Sequence, residues 1–169
     1  MTIPVNLKNL VTAYYNDFAS QFNVQDFPKL HNVFAIISME SSWQPEAQSP
    51  YARGLMQISQ PALETINRLY NKKFTYDDML RADHNVFVGI RYLRWLYRAL
   101  SHLEPTLREI ATVMAYNWGI GNVQNWLSLA KDNPQIKKEV PQETKDYVIS
   151  YIYWCEYWKK NLKAKTLQH

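Results

Sequence analysis

The sequence predicts a single all-α, or nearly all-α, domain, and three observations carry that prediction. Apolar residues recur at i, i+3, i+4 and i+7 almost throughout. Apolar–polar alternation never runs beyond a few residues, with room only near residues 51–59 for a short strand or hairpin. Glycine is scarce: four in 169 residues, about a third of ordinary usage.

Each helix can be justified in turn. Leu7, Leu10, Val11, Tyr14 and Phe18 form the first apolar face. After Pro28, Leu30, Val33, Phe34, Ile36 and Ile37 repeat the period up to Glu40. Pro61 suits a first turn, where its missing N–H costs nothing, and Leu63, Ile66, Leu69 and Tyr70 follow it. Asp83 is a natural cap for a helix carrying Val86, Ile90, Leu93, Trp95, Tyr97 and Leu100. Thr106 and Glu109 read as a capping box opening the run Leu107, Ile110, Val113, Met114. Gly119 stops that run as a C-terminal cap should. A short helix follows near 121–130, and Pro141 precedes the last one. That helix has a broad face of Tyr147, Val148, Tyr151, Ile152, Trp154, Cys155 and Trp158.

Composition excludes several classes. The length suits one domain spanning residues 1–169, with no linker, repeat or low-complexity stretch. Cys155 is the sole cysteine, so neither an internal disulfide nor a thiolate zinc cluster can form. No apolar run approaches the eighteen residues of a membrane span. The first residues lack the basic and apolar regions of a secretory signal, so no signal peptide is visible. The formal net charge of +4 is mild. Every arginine lies between Arg53 and Arg108, and Lys159, Lys160, Lys163 and Lys165 form the densest basic cluster. Cations at a helix C-terminus explain that cluster. With no recognition module beside it, no nucleic-acid partner is expected.

Common catalytic devices are missing. There is no Gly-x-Ser-x-Gly, no His-Glu-x-x-His among His31, His84, His102 and His169, and no phosphate loop. One segment stands out, Ile36-Ile-Ser-Met-Glu40-Ser-Ser-Trp43-Gln-Pro45. A carboxyl flanked by apolar side chains is desolvated, which favours its protonated form and suits a general acid. A helix-end glutamate facing water fits the same spacing. Gly54-Leu-Met-Gln57 places a glycine where backbones approach closely. Ala115-Tyr116-Asn117-Trp118-Gly119-Ile-Gly121 gathers aromatics and amides at a helix end. Sugar sites use these residue types, although a helix–turn–helix corner explains the second segment as well.

Taken together, the segments resemble the soluble-type (SLT-domain) lytic transglycosylases, and more distantly the goose-type lysozymes. Glu40-Ser41 resembles the family's Glu-Ser motif, and Gly54-Leu55-Met56-Gln57 its Gly-Leu-Met-Gln motif. Asn85-x-x-x-Gly89-x-x-Tyr92-Leu93 resembles its packing helix. Ala115-Tyr116-Asn117…Gly119-x-Gly121 and Glu143-Thr144-x-x-Tyr147-Val148 resemble its later motifs. Five motifs in order cover about residues 30–155. The stretch Ser49–Gly54 is one residue shorter than the common form, and Ile58-Ser59-Gln60-Pro61 is one longer. Trp118 stands where a small alanine is usual.

The resemblance implies a lysozyme-like helical domain with a deep cleft, cleaving the β-1,4 bond between N-acetylmuramic acid and N-acetylglucosamine in peptidoglycan. Glu40 would be the sole catalytic acid and base, and the product would carry a 1,6-anhydro end. Ser49 is expected to hydrogen-bond the Glu40 carboxyl. Met56 and Gln57 are expected to line the cleft, Tyr116 and Asn117 to reach it, and Tyr147 to lie near Glu40. Trp43 and Trp118 are candidate sugar-stacking residues, Trp43 being equally suited to a core. No metal or cofactor is expected, the glycan strand is the expected partner, and the chain is expected to act on the wall as a monomer. Hydrolysis by a muramidase is the alternative. It would need a second carboxylate, for which Asp77, Asp78 and Asp83 are candidates, each also suited to capping. A non-catalytic wall-binding module would not need Glu40. Alanine should be tolerated worst at Gly54 and Gly119.

Overall fold

A computed structural model describes residues 3–24, 27–132 and 139–166. His169 and the side chain of Lys165 lie outside this description. Among the described residues seven α-helices follow in order: α1 Val5–Phe22, α2 Leu30–Glu40, α3 Gln60–Tyr70, α4 Ala82–Ala99, α5 Pro105–Trp118, α6 Ile120–Asp132 and α7 Gln142–Thr166, with a 3-10 turn at Asp77–Leu80. Among the described residues, the room for a hairpin near 51–59 is used only by two isolated antiparallel bridges, Gln48 with Arg53 and Arg53 with Ile58. The all-α expectation holds.

The helix ends follow their sequences, with two corrections. Asp83, expected as the cap of α4, lies inside the first turn of that helix, which begins at Ala82. Pro61 lies in the first turn of α3, behind the Ser59 cap. Asp78 accepts from the Thr75 N–H and hydroxyl at 2.7 and 2.9 Å, closing the cap of the 3-10 turn. The box expected at Thr106 and Glu109 does not form. Pro105 starts α5 instead, and Glu104 accepts from the N–H groups of Thr106 and Leu107. An acidic side chain before a proline satisfies the free donors of a first turn that begins two residues earlier. Glu109 is left to accept the Tyr151 hydroxyl at 2.7 Å.

The described chain packs as two compact units, one formed by the residues before Trp95 together with those from Trp154 on, the other by Trp95–Tyr153. In the first, α2 is the central element, with Asn32 through Ser38 all buried. Val11 and Phe18 of α1, Ile66 of α3, and Val86 and Ile90 of α4 are also buried in this unit. Phe34 meets Trp43 and Trp158 edge-on at centroid distances of 4.8 and 5.0 Å. Burying such aromatic pairs stabilises by more than area alone. Arg91, 3% exposed, lies 3.6 Å above the Phe87 ring, with Phe18, Phe22 and Tyr70 also facing it. Its guanidinium donates to Gln21 at 2.9 Å. In the second unit Leu96, Leu100, Ala111, Val113, Met114, Val123 and Tyr151 form the core. The broad apolar face expected on α7 is narrower than its sequence suggests: Tyr151, Cys155 and Trp158 are buried, while Ile152 is half exposed.

Candidate active site

Glu40 is the last residue of α2 and is half-buried. Seven consecutive buried residues precede it on the same helix, so its backbone is fixed by the core. Immediately beyond, the chain turns sharply. Ser41 closes the helix, its N–H bonded to the Ile37 carbonyl at 3.2 Å. Ser42 and Trp43 then both adopt positive φ, 50° and 67°. Left-handed backbone is costly for a bulky residue, and it persists where the surroundings over-determine it.

Ser38 supplies that determination. Its Oγ accepts the indole N–H of Trp43 and that of Trp158, each at 2.9 Å, and donates to the Phe34 carbonyl at 2.8 Å. Trp43 is thus 3% exposed and wedged against Phe34 and Trp158. Of the two readings of Trp43, the core one is correct: its ring is occupied by protein and cannot serve as a sugar platform. Ser38 had no distinguishing signal in the sequence, since nothing local links it to two tryptophans, one of them 120 residues away.

The loop after Glu40 is tied down by one amide. Asn85, on α4 and fully buried, donates to the Arg53 and Met79 carbonyls, both at 2.8 Å, and accepts the Met56 N–H at 2.8 Å. Gly54 has φ +78°, and a Cβ there would overlap the Met79 carbonyl and the Asn85 amide. Met56 is fully buried against Gly89, whose missing Cβ gives its thioether room. The expectation that Met56 lines the cleft is therefore corrected; its bulk anchors the loop to α4. Gln57, half-buried with φ 46°, donates its amide N–H groups to the Ala47 and Gly54 carbonyls at 3.0 and 2.9 Å. That amide is committed to its own loop, which fixes Gln57 without a ligand. Ser49 is exposed, and its Oγ accepts the N–H groups of Tyr51 and Ala52 at 3.2 and 3.0 Å. The expected bond to Glu40 is not formed. The shortened 49–54 stretch folds as a tight turn and draws the hydroxyl into it.

The three aspartates are all engaged. Asp77 pairs with Arg53, Asp78 caps the turn, and Asp83 pairs with Arg81 at 2.9 Å. The bonds from Thr75 hold the Asp78 carboxyl below the usual range, and those from Arg81 do the same for Asp83. Among the described residues, no three His, Cys, Asp or Glu side chains gather as a metal site.

In the second unit, Tyr116, Asn117 and Trp118 are half-buried at the end of α5, where Gly119 caps the helix with φ +93°. Asn117 accepts the hydroxyl of the buried Thr144 at 2.9 Å, so the Tyr-Asn and Glu-Thr motifs are physically joined. Trp118 offers its carbonyl to Asn122 at 2.7 Å. Tyr147, half-buried, lies one turn beyond Thr144 on α7.

The sequence pattern of the transglycosylase SLT domain matches residues 20–139. The chain belongs to this family. Solved SLT structures show the same fold. The 70 kDa soluble lytic transglycosylase SLT70 of Escherichia coli is 24% identical, with a TM-score of 0.71 over 88% of this chain and 24% of that one. The 70 kDa soluble lytic transglycosylase in complex with bulgecin A gives 23% identity and a TM-score of 0.72 over 92% and 26%. An inactive glutamate-to-glutamine mutant of the lytic transglycosylase Slt from Pseudomonas aeruginosa gives 21% identity and 0.70 over 90% and 24%. This SLT chain spans about a quarter of their length. No curated protein matches it by sequence.

Proposed function

We propose that this SLT domain is a lytic transglycosylase cleaving the N-acetylmuramic acid–N-acetylglucosamine bond of peptidoglycan with Glu40 as its one acid and base. The observation that carries this reading is the placement of Glu40. It ends a helix buried over seven residues and opens directly onto the strained Ser42–Trp43 turn.

Glu40 gives its proton to the glycosidic oxygen, and the C1–O4 bond breaks. The N-acetyl group of the substrate supports the positive charge at C1. The Glu40 carboxylate then takes the proton of the muramoyl C6 hydroxyl while O6 bonds to C1. Atoms balance without water, the product is a 1,6-anhydro end, and Glu40 is protonated again. One carboxyl suffices because the substrate supplies its own nucleophile, an exception to the two-carboxylate scheme. Tyr116, Asn117, Trp118 and Tyr147 are assigned to glycan contacts, and Gln57 and Ser49 to shaping the loop beside Glu40. The site of action is the cell wall.

Muropeptide mass spectrometry after digestion of purified sacculi tests the reading. Wild type should release 1,6-anhydromuramoyl ends, and Glu40→Gln none. Reducing ends would establish hydrolysis instead. An unchanged sacculus with wild type would leave a wall-binding module.

A further inference from the structure

The chain just beyond Glu40 borders an open pocket of about 720 Å³, whose lining residues all belong to the first unit. Pro4 at the start of α1, Pro45, Ala47 and Leu80 give it an apolar wall. Ser42, Trp43, Gln44 and Glu46 complete the lining. The Trp43 ring is sunk in the core, so what this residue adds to the pocket is main chain.

Polar groups around the loop differ in what they meet. The side chains of Ser38, Ser41, Ser49 and Gln57 are all bonded to the chain itself. The Ser42 hydroxyl, the Gln44 amide and the Glu46 carboxylate, all at the pocket, have no hydrogen-bond or ion-pair partner among the described residues. The main chain shows the same contrast. The Ser41 N–H bonds to the Ile37 carbonyl at 3.2 Å, and the Gln44 N–H to the Ser41 carbonyl at 3.1 Å. Between them, the N–H groups of Ser42 and Trp43 meet no acceptor among the described residues. Ser41 has φ −130° and ψ −4°, and Ser42 follows with φ 50°. A residue on the right-handed side of the map followed by a left-handed one turns successive N–H groups toward one concave side, a seat for an oxygen acceptor. That seat is close to Glu40, since two residues of chain span at most about 7 Å.

Three properties select the ligand. The two open N–H groups call for a carbonyl oxygen. Glu46, an unpaired carboxylate in the same pocket, repels an anion and accepts an N–H. The wall of proline, alanine and leucine suits a small apolar group. An acetamido group combines all three needs in its carbonyl, its N–H and its methyl.

We propose that this pocket is a subsite for an N-acetyl group of the glycan strand, with the carbonyl oxygen on the Ser42 and Trp43 N–H groups, the amide N–H on Glu46 and the methyl against Pro45 and Leu80. The Gln44 amide serves an adjoining sugar hydroxyl. The inference rests on the proposed substrate. It gives the strained turn a second role, as a binding element and not only as the end of α2.

Binding of the β-1,4-linked tetramer of N-acetylglucosamine tests it, in a Glu40→Gln background so that nothing turns over. Cellotetraose, with a hydroxyl in place of each acetamido group, is the control. In proton–nitrogen NMR spectra the Ser42 and Trp43 amide signals should move downfield with the N-acetylated tetramer and stay in place with cellotetraose. Glu46→Ala and Gln44→Ala should each bind the tetramer about fivefold more weakly, the contribution of one hydrogen bond. Glu46→Gln, which keeps an acceptor oxygen, should recover most of the loss. Both positions are exposed, and thermal melting checks that the variants fold. Ser42 and Trp43 signals that do not move, equal binding of the two tetramers, or affinities unchanged by Glu46→Ala and Gln44→Ala overturn the inference. So does a response of these two signals to a free stem peptide and not to the tetramer, which would make the pocket a peptide site. None of these measurements needs bond cleavage. Sacculi left uncut by wild type would overturn the proposed function separately.

Discussion

Substituting alanine at the four glycines separates two kinds of constraint, and Gly54 is the decisive case. Its φ of +78° places an alanine in left-handed backbone, at a cost of roughly 1–2 kcal/mol. The added Cβ would overlap the Met79 carbonyl and the Asn85 amide, and would come within 2.8 Å of Asn85 Cγ. Neither neighbour can yield cheaply. The Met79 oxygen is backbone, and the Asn85 side chain holds three hydrogen bonds of 2.8 Å in a fully buried place. Displacing it leaves at least one buried polar group unmatched, about 1–3 kcal/mol. Gly54→Ala should therefore lose roughly 2–5 kcal/mol in urea unfolding, about 4–20 °C in Tm for a chain of this size. At Gly89 the Cβ would come within 2.8 Å of Met56 Cε; overpacking of that kind costs about 1–3 kcal/mol. Gly119 has a strained φ of +93° but its nearest neighbour is 3.8 Å away, so about 1–2 kcal/mol is expected. At Gly121 nothing lies within 4 Å, and alanine in a helix should be neutral or stabilising by up to about 1 kcal/mol. The sequence alone ranked Gly54 and Gly119 together; the structure places Gly89 between them. A Gly54→Ala protein within about 1 kcal/mol of wild type would refute the account of this loop.

Three further outcomes are expected. Ser38→Ala strands two buried indole donors and should cost about 2–4 kcal/mol by chemical unfolding, with wall clearance falling as the Trp43 turn loosens. His31 is held neutral in the folded chain, so the unfolded state binds more protons between about pH 4 and 6.5. Stability should fall as pH drops through that window and be complete above it, by on the order of 1–2 kcal/mol after discounting for partial exposure; His31→Gln should flatten the Tm–pH curve there. Asp77→Asn, Asp78→Asn and Asp83→Asn should each keep turnover within about tenfold, well short of the 10²–10⁴-fold loss expected on removing a general base.

The fold was legible because helix periodicity and proline punctuation act locally, and α2 and α3 end where their patterns end. The α5 cap was misplaced by two residues because Glu104 and Thr106 both offer good acceptors, and only Pro105 decides between them. The proposed catalytic acid, Glu40, was legible as a carboxyl closing an apolar run. Its neighbours were less so. Met56 and Trp43 belong to a recognisable pattern, yet their burial depends on distant partners: Asn85 and Gly89 for Met56, Trp158 for Trp43. The caged Arg91 left no local trace at all, since its aromatic ring of neighbours is assembled from α1, α3 and α4.

Asn85 bonds two stretches of irregular chain to a regular helix, and this has a kinetic consequence. Irregular segments ordinarily open on their own, with little free energy. Here the Met56 N–H is bonded to a residue inside α4, so it can exchange with solvent only when that helix gives way. Amide exchange at Met56 and Ile58 should keep pace with the middle of α4, while Tyr51 and Ala52, a few residues earlier, exchange with the surface. The loop beside Glu40 would then be irregular in shape but helical in lifetime.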